Sequence, residues 1–289
     1  MNKLKENRIL SFIVTLIVYA IAITVGVIIY NLLNFDFWLN LLIADVVSTA
    51  ITFIFSLIFN NSSVYDPYWS VAPIVVVIGY SIKFGVNNMT IFPLIAVLLW
   101  GTRLTLNWAY TFTNLNHEDW RYRMYKEKYP KIYVLVNFFG IHLFPTLVVY
   151  LCMLPIAYLF YKGSEVNYLI IIGFVISILA FLLQLVSDIE MHKFRKRGTH
   201  KLIDVGLWKY SRHPNYLGEI SMWWGVYFMM LAIIPNYWFL FVGALVNNLM
   251  FLFISIPMAD KRQSAKEGYA EYKSRTRMLL PIYKKQKNL

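Results

Sequence analysis

The sequence predicts an all-α fold, a polytopic transmembrane helical bundle of about seven or eight spans. Three observations predict it. Only 15% of the 289 residues are charged, against about 25% in a typical soluble domain. Mean hydropathy is +0.55. The apolar residues fall in long continuous runs, whereas the core segments of a soluble protein are short. Strands of a membrane barrel alternate apolar and polar residues. These runs do not, so the spans are helices, which satisfy their own backbone hydrogen bonds in lipid.

Ile9 to Tyr30 carries no charge over 22 residues, and a helix needs about 20 to cross the hydrocarbon core. Lys3, Lys5 and Arg8 precede it as in a signal peptide. The run is too long for such a segment and no small-residue cleavage site follows, so a retained first span is expected. Phe37 to Phe59 is broken only by Asp45, and Val71 to Phe84 is shorter, a full or a partial span. Thr90 to Phe112 contains Arg103, and Tyr133 to Tyr161 contains His142. Tyr168 to Ser187 is uncharged, Tyr216 to Ile234 contains Glu219, and Tyr237 to Met258 follows a Pro235-Asn236 break. No separate soluble domain fits between them. Residues 1–289 read as one membrane domain, with N-terminal helices in 1–132 and C-terminal helices and loops in 133–289.

The net charge of +12 is concentrated in four segments, 1–9, 111–133, 188–216 and 260–289. An even number of spans separates each from the next. The positive-inside rule therefore sets all four, and both termini, on the cytoplasmic side, in what reads as a bacterial cell membrane. Basic residues so placed orient the protein against anionic headgroups, and no nucleic-acid partner is expected. Cys152 is the only cysteine, which excludes an intrachain disulfide and a cysteine-rich metal centre. No feature sets an oligomeric state.

Asp45 and Arg103 lie inside apolar runs, where an ionised group costs several kcal/mol unless paired or hydrated. Either they pair with each other, or they form the polar wall of a substrate cavity in 1–132. Asn107 shares a helix face with Arg103, and Trp100 and Trp108 either line that face or pack. Arg103 is too basic to act as a general acid, so its roles are to orient an anion or polarise a carbonyl. The stretch Asp66-Pro-Tyr-Trp-Ser-Val-Ala-Pro73 is an interfacial turn or presents Asp66 to a ligand. His117-Glu118-Asp119-Trp120-Arg121-Tyr122 has no second histidine nearby, and no metal is expected.

The block from Asp188 to Glu219 is the densest in polar groups. Asp188, His192 and Arg195 share one helix face with Gln184 a turn earlier. With Lys193, Lys196 and Arg197 they are membrane anchors or a phosphate pocket. Arg212 offers a planar fork of donors, His213 and Asn215 add shorter polar groups, and Trp208, Tyr210 and Tyr216 supply flat surfaces. Glu219 then enters an apolar helix. Such a set suits a large ligand with phosphate, ribose and amide groups. Arg262, Tyr269, Tyr272, Arg275 and Arg277 of the tail are candidates to cover it. There is no Gly-x-Gly-x-x-Gly and no Walker A sequence, so a nucleotide would rest on helices and loops.

Four stretches carry a family resemblance: Asp66-Pro-Tyr-Trp-Ser-Val-Ala-Pro, His117-Glu-Asp-Trp-Arg-Tyr, Tyr210-Ser-Arg-His-Pro-Asn-Tyr-Leu-Gly-Glu, and Arg275-Thr-Arg-Met-Leu-Leu-Pro. The chain resembles the DUF1295 group within the steroid 5-alpha-reductase-like superfamily. The resemblance implies an enzyme that takes NADPH from the cytoplasm and reduces a conjugated double bond in a lipophilic substrate. By position it implies that Gln184, Asp188, His192, Arg195, Asn215, Glu219 and Trp223 face the cofactor, with Lys201, Arg262 and Tyr272 beside them. Arg195 and Lys201 would suit the extra phosphate. The reductases pair an acid with a tyrosine. Asp66 matches the acid, but the tyrosine falls on Trp100, and an indole is a poor proton donor. Arg103 or Tyr65 would then assist, or the substrate differs; steroid itself is not implied.

The Arg-His-Pro-x-Tyr-x-Gly core is also similar to isoprenylcysteine carboxyl methyltransferases and phospholipid methyltransferases, which bind S-adenosylmethionine. A non-catalytic membrane protein is a third reading.

Overall fold

The computed structural model describes residues 2–163, 165–198 and 201–282. Among them there is no sheet, only one isolated bridge between Ser211 and Arg277. Eight helical segments are long and apolar enough to cross a membrane: Arg8–Leu32, Phe37–Phe59, Ser62–Phe84, Ile91–Thr111, Pro130–Lys162, Ile170–Arg195, Pro214–Ile233 and Pro235–Gln263. The third is a complete span. Its helix proper is preceded by a 3-10 turn, Ser62–Tyr65, which adds the length that Val71 to Phe84 lacks. The protein is a polytopic helical membrane protein.

In chain order the α-helices are α1 (Asn2–Glu6), α2 (Arg8–Leu32), α3 (Phe37–Phe59), α4 (Tyr68–Phe84), α5 (Ile91–Thr111), α6 (Trp120–Lys128) and α7 (Tyr133–Leu135). There follow α8 (Phe144–Lys162), α9 (Ile170–Arg195), α10 (Pro214–Ile233), α11 (Val242–Met250), α12 (Ile256–Gln263) and α13 (Tyr269–Arg275). Two π-helical stretches, Val136–Leu143 before α8 and Phe251–Ser255 before α12, interrupt the regular pitch. Such stretches expose backbone carbonyls and re-aim side chains, and they recur at functional positions. The chain divides into two compact units, one of Met1–Gly85 with Val97–Phe160, the other of Val86–Ala96 with Tyr161–Leu289.

Helices α2 and α3 are inside-out relative to soluble helices. In α3 the buried positions include Asn40, Ala44, Ser48, Thr52 and Ser56, a stripe at strict spacing of four, while Ile54, Leu57 and Ile58 are exposed. In α2 the buried Ser11, Thr15, Tyr19, Ala22 and Gly26 repeat the pattern. Lipid is as apolar as leucine, so there is no gain in hiding aliphatic side chains. Small and polar residues face inward because they permit close backbones and cross-helix hydrogen bonds. Ser48 Oγ accordingly donates to the Ala22 carbonyl at 2.9 Å. The first unit contains a hydrophobic cluster of Val18, Tyr19, Phe59, Val64, Tyr65, Tyr68 and Leu115. Tyr19 Oη donates to the Val64 carbonyl at 2.8 Å.

The second unit is organised on the crossing of α9 and α10. A Cβ added to Gly225 would lie 2.7 Å from the Gly173 carbonyl oxygen and 2.9 Å from the Ser177 nitrogen. The backbones therefore touch where no larger residue fits. Pro214 starts α10 at its first turn, where a missing N–H costs nothing.

Replacing Gly225 by leucine overfills this crossing. It should lower stability by about 1–3 kcal/mol, read as earlier thermal unfolding in detergent. Gly79→Ala, at a position with nothing within 4 Å of the added atom, should stay within about 0.5 kcal/mol of the parent. Equal melting of the Gly225 variant and the parent would contradict the packing account.

Candidate functional site

In the first unit, two of the stretches singled out in the sequence fold against each other. Helix α3 ends at Asn60, which adopts the left-handed conformation at φ 48°. Two residues on, the Ser62 N–H donates to Glu118 Oε1 at 2.7 Å, and the Asp119 N–H donates to Ser63 Oγ at 2.8 Å. Lys126 completes the joint, donating to Glu118 Oε2 at 2.8 Å and to the Asn60 carbonyl at 3.0 Å. The Glu118 carboxylate is thereby occupied in docking the loop, while the Asp119 carboxylate caps α6 by accepting from the Arg121 N–H at 2.9 Å. The docking delivers Tyr122, whose Oη donates to Asp66 Oδ1 at 2.6 Å. Burial, and after it the charge of Asp66, pushes the Tyr122 phenol well above its ordinary range, so it stays a donor at neutral pH.

The other predicted residues of this unit are placed as follows. Tyr65 is buried and its Oη lies 2.8 Å from Thr146 Oγ1. Its ring packs on that of His142, centroids 4.7 Å apart. Trp100 is fully enclosed and Arg103 is buried one turn further along α5. Gly101 between them sets α5 close against α4, since a Cβ there would meet the Ser70 carbonyl at 2.9 Å. Asp45 accepts a hydrogen bond from Tyr68 Oη at 2.7 Å. It lines a hollow of about 10 Å³ with Leu41, Ala72, Pro73, Val149 and Tyr150 among others, space for about one water.

In the second unit, α9 and α10 bring Gln184, Glu219 and Trp223 together. Gln184 Nε2 donates to Glu219 Oε2 and Trp223 Nε1 donates to Glu219 Oε1, both at 3.1 Å. The close crossing makes this possible. Gly218 sits against the Gln184 side chain where a Cβ would collide. One and two turns further along α9, Asp188 and His192 are half-buried and Arg195 is exposed. Asn215 is half-buried one turn before Glu219.

Basic groups from separate segments collect at the end of α9. Lys266 donates to the Lys201 carbonyl at 3.4 Å. Burial, and then repulsion from Arg262 and Arg195, lowers the Lys266 ammonium below its ordinary value. Arg195 and Arg262 are thus close enough to act on the Lys266 charge, and Lys266 reaches the backbone of Lys201. Sequence reasoning missed Lys266, which lies in a short polar turn with no periodicity to mark it.

Arg212, His213 and Tyr272 are committed inside the protein. Arg212 Nη2 and Nε contact the two oxygens of Asp260 at 3.0 and 3.3 Å, and its Nη1 donates to the Thr276 carbonyl at 2.9 Å. His213 Nε2 lies 2.8 Å from Asp260 Oδ1, and its ring stacks on Tyr216 at 5.2 Å. The Arg212 N–H also donates to the Arg277 carbonyl, Arg275 pairs with Asp204 at 2.9 Å, and Tyr272 Oη donates to the Trp208 carbonyl at 2.6 Å. Trp208 Nε1 in turn donates to the Ser187 carbonyl on α9. The tail is a strap across the 204–213 loop, with Asp260 as its buckle. Tyr210 is exposed beside it.

Asp260 and Arg212 are only 15% and 9% exposed, and breaking such a pair leaves a charge without its counter-ion, at about 3 kcal/mol or more. Asp260→Asn should therefore release the strap, and trypsin should cut faster at Lys273, Arg275 and Arg277. Unchanged protection of these sites would show that Asp260 does not hold it.

A family profile described as a protein of unknown function, DUF1295, matches residues 52–276. An uncharacterised protein of Schizosaccharomyces pombe is 26% identical over 198 residues, covering 58% of this chain and 57% of the relative. The chain thus spans just over half the length of the curated relative it matches. No solved structure matches it. The matched residues take in the loop docked at Asp66, the α9–α10 polar cluster and the strap up to Thr276, and on that match the chain belongs to the DUF1295 family.

Proposed function

We propose that this protein is an NADPH-dependent membrane reductase, acting on an enone or related double bond of a lipophilic substrate. The observation that supports the reading is the nearness to Lys266 of Arg262 and of Arg195, which lies on the helix that also carries Gln184 of the Gln184–Glu219–Trp223 cluster. The likeness of its motifs to the steroid 5-alpha-reductase-like superfamily supports it further. Guanidinium and ammonium groups at one spot suit phosphate, and Arg offers paired donors to its oxygens. Asp188, His192 and Asn215, with the amide of Gln184, offer hydrogen bonds of the kind that ribose and carboxamide groups need.

When bound, NADPH supplies a hydride to the electron-poor carbon of the double bond. The chain's own part is to hold the cofactor, exclude water and deliver a proton. Trp100 cannot serve as that donor. Tyr122 presents a phenol to Asp66 and fits the task that the sequence left open between Arg103 and Tyr65. A donor group aimed at the substrate oxygen would stabilise the charge that develops there.

The methyltransferase reading draws on the Arg212-His213-Pro214 core. Here Arg212 and His213 are engaged by Asp260, so the core is accounted for as a strap anchor and does not by itself argue for S-adenosylmethionine. The basic group favours the phosphate-bearing ligand.

Titration of NADPH, NADH and S-adenosylmethionine against the protein in detergent tests this. NADPH should bind best, and Arg195→Ala and Lys266→Ala should each weaken it about tenfold, about 1.4 kcal/mol, with little effect on NADH. Binding of S-adenosylmethionine alone would overturn the reductase reading in favour of methyl transfer. A response to none of the three would favour a non-catalytic protein.

A further inference from the structure

Asp45 is the ninth of the 23 residues of α3, about 12 Å along the helix from Phe37 at 1.5 Å per residue. That depth is well inside a hydrocarbon core of about 30 Å. Its carboxyl accepts from Tyr68 Oη, which lies 2.7 Å from Oδ1 and 3.2 Å from the Asp45 carbonyl oxygen. Glu118, Asp119, Asp204 and Asp260 each have a basic partner, whereas Asp45 has a phenol. The titratable groups that face it are Tyr68 from α4, Tyr150 from α8 and Tyr65 from the turn before α4. None of these is a cation.

The hollow of about 10 Å³ that Asp45 lines has room for about one water. Asp45 is half-buried, as are Ala72 and Val76 of the same wall, so the hollow is not sealed. Leu41, Pro73, Val149 and Met153 make the rest of it apolar. Tyr150 also lines it, but its hydroxyl donates to the Trp38 carbonyl at 2.9 Å. An ionised carboxylate at this depth is costly unless paired or hydrated, and a carboxyl without a counter-ion escapes that cost by holding a proton. A hard metal cation needs several oxygen ligands, which these walls do not offer. Tyr68 has one hydroxyl hydrogen and gives it to Oδ1, so Oδ2 is the oxygen left to carry a proton.

We propose that Asp45 is a proton-binding site within the membrane, loaded and unloaded through water in the hollow. On loading, one O–H bond of hydronium breaks and one O–H bond forms at Oδ2, leaving neutral water. Unloading is the reverse, and nothing is oxidised or reduced. The loaded carboxyl is also a modification site for a lipophilic carbodiimide. Its proton passes to a carbodiimide nitrogen, its oxygen bonds the central carbon, and no group leaves. An ionised carboxylate has no proton to give and does not react. The site does not rest on the reductase reading and needs no cofactor to be observed.

Infrared spectroscopy of the protein in lipid nanodiscs, set against Asp45→Asn, tests this. At a mildly acidic pH where exposed carboxylates are ionised, the parent should show the carbonyl stretching band of a protonated acid, and the variant should lack it. The band should move in D2O and give way to carboxylate bands as the pH is raised. Tyr68→Phe should shift it to higher frequency, because Oδ1 then loses the hydrogen bond it accepts. Identical spectra of parent and Asp45→Asn in this region, or a band that ignores both D2O and pH, would overturn the site. Should Asp45→Asn fail to fold, peptide mass mapping of the parent protein after dicyclohexylcarbodiimide treatment decides. An adduct on Asp45 that fades as the pH is raised supports the proposal. An unmodified Asp45 peptide, or an adduct indifferent to pH, overturns it.

Discussion

Close approach of helix backbones along small and polar stripes is the constraint on which this structure rests. In lipid, aliphatic side chains gain nothing by leaving the surface, so helices adhere through contact and hydrogen bonding. The stripe of Asn40, Ala44, Ser48, Thr52 and Ser56 on α3 meets that demand, as does the Gly173–Gly225 contact between α9 and α10. Gln184 of the α9–α10 polar cluster continues the line of Gly173, Ser177 and Ala180, whereas the loop docked at Asp66 and the strap lie off such stripes. A polar stripe alone therefore does not mark a site.

Much of the fold was legible from the chain. The long apolar runs predicted all eight spans, most ends lying within five residues of the helices, but the third span begins nine residues earlier and α9 ends eight residues later than its run. The buried stripes were present too, as small residues every fourth position. What could not be read was which distant segments share a charge. Asp45 finds Tyr68, Asp66 finds Tyr122, and Asp260 gathers Arg212 and His213 across 48 and 47 residues. Such pairings depend on loop paths, and loop paths carry no period. Tyr122 in particular reaches Asp66 from a loop that the Glu118 carboxylate and the Asp119 N–H dock on the 60–63 turn, while the Asp119 carboxylate caps the following helix.

The most distinctive motif divides its labour. Within Arg212-His213-Pro214-Asn215-Tyr216-Leu217-Gly218-Glu219, the first half anchors the tail, the proline opens a helix, and the glycine lets Gln184 approach Glu219. Only the last part belongs to the polar cluster between the helices. A motif so built marks an architecture that several chemistries can share. The proposed function therefore rests on the basic residues outside it, on α9, α12 and the turn at Lys266.

Helix α9 has 26 residues, about 39 Å at 1.5 Å per residue, against a hydrocarbon core of about 30 Å. Pinned to α10 at Gly173 near one end, it has surplus length at the other, where its last two turns carry His192 and Arg195. That surplus is enough to carry those turns past the hydrocarbon to the level of the headgroups. Anionic lipid attracts basic groups at that depth, so any soluble anionic ligand of this helix end would bind in competition with the leaflet, and the charge of the lipid would enter its apparent affinity.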